Sequence, residues 1–177
     1  MTVKERFKRT EQADRMIYRK FIDRYSPNND IELKGTDILC CYDLIQTKGN
    51  DKHLIEIKTR WDYGYNDFED ISIDEQKIRC IKGVDADNAY ICAIFPKDDK
   101  IVLIDITDIR YDDNDVVKRY ANAQTISESP YKKIKSFIPL RIKKGRDERL
   151  NTITYVFNYP NLKDEYNVFF QTSYGSE

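Results

Sequence analysis

The sequence has little of what several enzyme and membrane classes require. It contains a single histidine, His53, in 177 residues, which excludes His-based catalysis and metal sites built from several histidines. No apolar run approaches the ~20 residues of a membrane-spanning helix, and no CxxC spacing occurs among the 4 cysteines. We therefore expect a cytoplasmic protein without a membrane partner, in which Cys40, Cys41, Cys80 and Cys92 are reduced rather than part of a zinc site or a disulfide framework.

The chain also lacks an excess of charge of one sign. Its formal net charge is −1, so any affinity for nucleic acid must come from local basic patches. The N-terminal residues are charged and lack the apolar core of a signal peptide. The length predicts one domain over residues 1–177. A composition rich in Ile, Lys, Asn, Asp and Tyr suits a bacterial cell or a phage-infected host.

Two apolar runs around a polar turn predict a β-hairpin. The runs cover residues 35–46 and 53–60, and the turn lies at 47–52. In a strand, residues i and i+2 point to the same face, so Glu56 and Lys58 project side by side. Either Asp37 or Asp43 on the first run can reach that face. Two carboxylates and one lysine on adjacent strands suit a divalent metal held against a phosphate.

Context separates this pair from other acidic-x-Lys triplets in the chain. Glu56 and Lys58 lie in an apolar strand that follows an acidic strand and precedes a capped helix. Residues 75 and 77 lie in a predicted helix, where positions i and i+2 do not share a face. The four triplets are Glu32/Lys34, Glu56/Lys58, Glu75/Lys77 and Asp98/Lys100.

Asp37, the Glu56-Ile57-Lys58 triplet and the helix that follows resemble the PD-(D/E)XK nuclease superfamily, which includes restriction enzymes, Holliday junction resolvases and phage exonucleases. The resemblance covers roughly residues 10–105, and Thr36 stands where the family has a proline. The family pattern favours Asp37 as the first acid, at the edge of a strand. A simple hairpin places Asp43 closer to Glu56, so Asp43 stays a rival.

The resemblance implies a metal-dependent DNA nuclease, and specifically an endonuclease that uses Mg²⁺ or Mn²⁺. In such a site Asp37, Glu56 and the backbone carbonyl of Ile57 would bind the metal. Lys58 would orient the attacking water or stabilise charge in the transition state. Further candidates for auxiliary roles are Glu11, Asp14, Asp43 and Gln76.

The expected fold is of the α/β class, with a restriction endonuclease-like αβββαβ core, a mixed central sheet and a C-terminal β extension. The core would occupy about residues 7–106 and the extension about 107–177. Thr10 is a candidate start signal inside the first helix, and a capping box at residues 72–75 predicts the start of the second. The predicted elements of the core are helices over 7–25 and 73–82 and strands over 31–34, 89–95 and 101–106, besides the hairpin.

An aromatic loop follows the Glu-x-Lys strand at residues 61–68. Its side chains suit either stacking on splayed bases or packing over the core. The sequence leaves both open.

The C-terminal part predicts a helix over 115–123 and strands over 152–157 and 166–170, which extend the sheet or form the edge of a homodimer. Residues 131–149 hold 8 Lys/Arg against 2 Asp/Glu, and a basic stretch of this kind can bind phosphates. The candidate DNA contacts are Lys77, Lys132, Lys133, Arg141, Lys143 and Lys144.

The same residues admit a second interpretation. Buried carboxylates and a lysine can form an ion-pair network without chemistry. The alternative function is accordingly a catalytically inactive, nuclease-like module that binds DNA or a protein partner.

Overall fold

The computed structural model describes residues 2–26, 30–37, 40–120 and 134–172. Its helices are α1 (Val3–Tyr25), α2 (Glu75–Lys82) and α3 (Leu162–Thr172), with one turn of 3₁₀ helix at Asp113–Asp115. Its strands are β1 (Ile31–Gly35), β2 (Leu44–Lys48), β3 (Asp51–Thr59), β4 (Asp70–Asp74), β5 (Asn88–Phe95), β6 (Lys100–Asp105), β7 (Val117–Tyr120), β8 (Ile134–Arg141), β9 (Gly145–Asp147) and β10 (Thr152–Asn158).

A mixed seven-stranded sheet forms the centre of the fold, which confirms the predicted α/β class with a mixed central sheet. Its strand order is β1-β2-β3-β5-β6-β10-β9, and only β3 and β5 pair in parallel. Because parallel neighbours need a crossover, the chain between β3 and β5 passes over one face of the sheet and forms α2 there. The predicted βαβ arrangement is confirmed.

The predicted β2–β3 hairpin is present, but its turn is shorter than the predicted 47–52 and its first strand begins at Leu44 rather than at residue 35. Gln46 lies opposite His53, and Lys48 lies opposite Asp51. Gly49 has a φ of 60°, a conformation that two-residue hairpin loops assign to glycine. The short turn fixes the register of β3, and with it the face on which Glu56 lies.

Helices α1 and α3 cover one face of the central sheet. Four apolar residues of α1 are buried there, together with Leu162 and Tyr166 of α3 and alternate residues of β3 such as Ile55 and Ile57. The predicted first helix is present, but it begins at Val3 rather than at residue 7, because Thr2 and Glu5 form a capping box. The buried residues of the α1 stripe are Ala13, Ile17, Tyr18 and Phe21.

The second face carries α2 and a separate three-stranded sheet of order β4-β8-β7. The capping box predicted at residues 72–75 is wrong. Ile71 and Ile73 are buried at strand spacing, so β4 continues to Asp74. Asp74 itself caps α2, since its side chain accepts a hydrogen bond from the Gln76 N–H. The predicted end of this helix at Gly83 is confirmed.

Two predictions for the C-terminal part are wrong and one is confirmed. Residues 166–170 belong to α3, where Leu162 and Tyr166 are buried one turn apart. Residues 117–120 form β7 rather than a helix, and the rest of the predicted 115–123 helix lies outside the described residues. The strand over 152–157 is present as β10, which pairs with β6.

Residues beyond 106 contribute to the same core as the central sheet. Ile138, Leu140 and Leu150 belong to one buried cluster with Ile91 and Val102 of β5 and β6. None of the described helices is long and apolar enough to cross a membrane.

The expectation of four reduced cysteines is wrong for two of them. A disulfide joins Cys41, in the loop before β2, to Cys80 of α2, at a sequence separation of 39. Cys40 and Cys92 are free. Spacing along the chain could not reveal the pair, because the β3–α2 crossover brings the two residues together.

Candidate active site

Side chains of β3 alternate between the two faces of the sheet, which places Glu56 and Lys58 on the face that α2 covers. Leu54 packs with Ile78 and Ile81 of α2, and Glu56 and Lys58 follow it at spacings of two and four residues. Glu56 is completely buried. A buried carboxylate requires compensating charges or hydrogen bonds, and its neighbours supply part of them.

Two lysines bind the same carboxylate oxygen. Nζ of Lys58 lies 2.5 Å from Oε1 of Glu56, and Nζ of Lys77 also donates a hydrogen bond to that oxygen. Lys77 reaches it from the first turn of α2. Burial lowers the pKa of Lys58 despite the Glu56 charge. Burial is the largest influence on Lys77 and acts against its charged form, but the attraction and hydrogen bond of Glu56, together with Lys58 and Asp43, raise the pKa of Lys77.

Asp43 completes this group from the start of β2. Its N–H donates to the Ile55 carbonyl at 2.8 Å, and its Oδ2 accepts a hydrogen bond from the Ile57 N–H at 2.6 Å. The Asp43 side chain thus takes the place of the next backbone hydrogen bond of the β2–β3 ladder, just before β2 begins. The pKa of Asp43 is raised from 3.8 to about 7. Burial is the main cause, and repulsion by the nearby Glu56 carboxylate is the second.

Glu56 has one acceptor without a partner. Its Oε2 is buried and receives no hydrogen bond among the described residues, whereas most buried polar atoms are satisfied. Two adjacent carboxylates, one of which has an oxygen that receives no hydrogen bond, suit a hard divalent cation such as Mg²⁺. The Ile57 carbonyl faces the same side as Asp43, because the N–H and C=O of one strand residue point towards one neighbour. No group of three or more His, Cys, Asp or Glu in the described residues is arranged for a metal ion.

Comparisons of the chain with family models, with curated proteins and with solved structures give no match. Any assignment to the nuclease superfamily therefore depends on the residues and their geometry.

Asp37 lies apart from this group. It is exposed, in the loop that joins β1 to β2, and its carbonyl accepts a hydrogen bond from the Cys40 N–H at 2.9 Å. β1 is the outermost strand and β2 separates it from β3. Among the described contacts, Asp43 rather than Asp37 interacts with Glu56. The geometry therefore favours the rival candidate, and the preference for Asp37 stays a prediction from the family pattern.

Of the two acidic candidates on α1, Asp14 lies against β3. Its Oδ1 accepts hydrogen bonds from Thr59 Oγ1 and from the Tyr166 hydroxyl, both at 2.7 Å. Thr59 lies two residues after Ile57 in β3, so its side chain points to the same face of the sheet. The contact with Asp14 is therefore on the α1 side. Glu11 instead pairs with Arg15 at 3.2 Å. Sequence reasoning missed Thr59 and Tyr166, since neither carries a signal without the α1–α3 packing.

The remaining predicted residues are less close to Glu56. Gln76 is exposed on α2, and its neighbour Lys77 is the residue of this helix that binds Glu56. Lys143 donates to the Tyr65 carbonyl at 2.8 Å and lies 3.9 Å from that ring. Arg141 and Lys144 are exposed, and Lys132 and Lys133 lie outside the described residues.

The environment of Asp14 predicts a pH-dependent stability. Burial raises the pKa of Asp14 from 3.8 to about 6, against the two hydroxyl donors and the attraction of Lys58, with Glu11 adding to the rise. A raised carboxyl pKa means that the folded state binds the proton more tightly, so the free energy of unfolding falls as the pH rises from about 4 through 6. We expect this titration of Asp14 to change the free energy of unfolding by about 1–3 kcal/mol, a range that allows for the partial exposure of the residue.

Urea unfolding of the wild type and of Asp14→Asn between pH 4 and 7.5 measures this contribution. The Asn side chain keeps an oxygen that can accept from Thr59 and Tyr166 but does not titrate. We expect the difference in stability between the two proteins to shift in favour of the variant above pH 6. A pH-independent difference would contradict the assignment.

Proposed function

We propose that this protein is a metal-dependent deoxyribonuclease of the PD-(D/E)XK type, which hydrolyses DNA phosphodiester bonds at the Glu56 site. One observation carries the proposal. Buried Glu56 lies beside the Asp43 carboxyl and has one oxygen held by two ammonium groups, and its other oxygen receives no hydrogen bond from the described residues. A purely structural ion pair does not require a second carboxylate, or a buried oxygen without a hydrogen-bond donor.

The chain order supports the same proposal. Helix α1, strands β1 to β3, helix α2 and strand β5 follow one another as in the αβββαβ core of the resembled superfamily. The departure is β4, which lies between β3 and α2 and pairs in the second sheet. The insertion leaves the crossover in place, and with it the position of Lys77 over β3.

Each residue of the site has a distinct role in the proposed reaction. Asp43, Glu56 and the Ile57 carbonyl would hold Mg²⁺ or Mn²⁺, whose charge polarises a phosphoryl oxygen and lowers the pKa of water. Lys58 orients the attacking water or stabilises the charge that develops on the phosphate. Lys77 binds Glu56 Oε1 and fixes the direction of its carboxylate.

The deciding experiment is a cleavage assay on supercoiled, linear and branched DNA with Mg²⁺ or Mn²⁺. We expect cutting by the wild type that stops on chelation. Lys58→Ala should lower the rate about 100-fold, as for loss of one group that stabilises developing charge, while metal affinity is retained. The matched control is Lys34→Ala, which removes the exposed lysine of another Glu-x-Lys triplet and should leave the rate unchanged. Full activity in Lys58→Ala would remove that residue from the mechanism.

A second candidate function is a non-catalytic module that binds DNA or a protein partner. It is favoured by the pairing of both lysines with Glu56 and by the lack, in the described part of the chain, of a third acidic ligand at the site. It predicts no cutting by the wild type in either metal, with salt-dependent DNA binding retained in Glu56→Gln. Homodimerisation stays a separate prediction, which measurement of molecular mass in solution would test.

A further inference from the structure

A cleft of about 390 Å³ opens beyond the end of β3. Two arginines and four aromatic residues contribute to its walls, together with one aspartate and one serine. Unlike the Glu56 site, the cleft is open and large enough to take a planar group the size of a nucleobase. Its lining residues include Arg60, Tyr63, Phe68, Asp70, Arg119 and Tyr120.

The cleft is aligned with the candidate active site. Arg60 follows Glu56 and Lys58 at the same two-residue spacing, so all three belong to the α2 side of the sheet. A strand rises about 3.3 Å per residue, which places the Arg60 backbone about 7 Å beyond Lys58 and about 13 Å beyond Glu56. A nucleic-acid strand with a phosphate at Glu56 can therefore extend a neighbouring nucleotide into the cleft.

The aromatic residues present faces on which a base can stack. Phe68 is 53% exposed and Tyr120 is 67% exposed, which is unusual for side chains of this size beside a cleft. The Phe68 ring is supported by an edge contact with Tyr63 at 4.7 Å between centroids. The exposed ring of Phe68 is thus held in place without being covered.

Contacts within the loop 61–68 also hold the wall of the cleft. Gly64 N–H donates to Asp67 Oδ2 at 2.6 Å, and Lys143 binds the Tyr65 carbonyl. A wall fixed before binding loses little conformational freedom when a ligand enters.

The two arginines add positive charge to the cleft. Neither Arg60 nor Arg119 takes part in a salt bridge among the described residues. The Arg60 Nε is buried without a hydrogen-bond partner. Asp70 supplies one opposing charge, which suits the amino groups of a base rather than a phosphate.

We propose that this cleft binds an unpaired base of the DNA strand, so that the substrate is single-stranded or splayed DNA rather than a continuous duplex. Phe68 and Tyr120 stack on the base, and Arg60 and Arg119 contact its flanking phosphates. Aromatic platforms beside cationic groups are the means by which proteins hold single strands, whereas paired bases keep their faces covered by their neighbours. The inference deepens the proposed nuclease function and rests on it for the role of the bound strand.

The test separates binding from cutting. Fluorescence anisotropy measures the affinity of full-length Glu56→Gln protein for a labelled single-stranded oligonucleotide and for the matched duplex, without divalent metal. We expect the single strand to bind at least 10-fold more tightly. Adding Phe68→Ala or Tyr120→Ala should weaken single-strand binding by about 5- to 100-fold, as for loss of one stacked base. The matched control is Tyr155→Ala, which removes a 45% exposed tyrosine on β10, and it should have no effect.

Equal affinity for duplex and single strand, or unchanged binding in both Phe68→Ala and Tyr120→Ala, would overturn the cleft proposal. Cutting of DNA by the wild type is scored separately. Selective single-strand binding without cutting supports the cleft and overturns the nuclease. Cutting without any single-strand preference overturns the cleft and supports the nuclease.

Discussion

Replacing Asp43 by asparagine is expected to lower metal-dependent cleavage about 1,000-fold, whereas Asp37→Asn should leave it close to the wild-type rate. The reason is position. Asp43 contacts the Ile57 N–H and lies beside Glu56, so its loss removes one of two carboxylates from the proposed metal site, where a metal ion supplies several kcal/mol of charge stabilisation. Asp37 is exposed in the β1–β2 loop and lies outside that group.

Single-turnover cleavage with Mg²⁺ and calorimetric titration of the metal measure the two variants side by side. The amide introduced by Asp43→Asn retains an oxygen that can accept from the Ile57 N–H, so the hairpin should stay folded and the loss should appear in metal affinity. Asp37→Asn serves as the matched control, since it makes the same chemical change a few residues away. If Asp37→Asn were the damaging change instead, Asp37 would be the metal ligand, as the family pattern predicts, and Asp43 would not.

The face of the site was predictable because a strand has a period of two. The alternation of Leu54, Glu56 and Lys58 against Ile55 and Ile57 specifies which side chains meet, and the short turn at Gly49 fixes the register. These features are local, and the sequence contains them directly.

The identity of the second carboxylate was not predictable in the same way. It depends on where β2 begins after the connection from β1, and no periodic pattern in the sequence marks that point. Asp43 lies opposite the β3 backbone only because β2 begins one residue later, at Leu44.

Lys77 was predicted as a DNA contact and proved to be a partner of Glu56. Lys77 lies four residues before the buried Ile81 and therefore on the same face of α2. That face lies over β3 because α2 belongs to the crossover between the parallel strands β3 and β5, a tertiary relation that the local sequence does not show.

The C-terminal error has another cause. The segment around Tyr166 is short and apolar, and periodicity alone does not separate a strand from a buried helix at that length. The contacts of α3 with α1 decide in favour of the helix, and they involve residues far away in the sequence.

The disulfide predicts the second large effect. Cys80→Ser should lower the free energy of unfolding by about 4 kcal/mol, the loss of loop-closure entropy expected for a separation of 39 residues. Cys41 lies two residues before Asp43, and Cys80 lies one turn after Lys77. The bond therefore connects the two segments that bring a carboxylate and an ammonium group to Glu56, and its loss should also weaken metal-dependent cleavage.

Urea unfolding of the wild type, with and without a reductant, and of Cys80→Ser measures the stability term. Cys40→Ser is the matched control, because it removes the free thiol beside Cys41 and leaves the disulfide intact. Reductant should destabilise the wild type and Cys40→Ser to the same extent and leave Cys80→Ser unchanged. A reductant effect that disappears in Cys40→Ser would instead assign the bond to Cys40. If cleavage survived in Cys80→Ser despite the loss of stability, packing of α2 on β3 alone would suffice to hold Lys77 at Glu56.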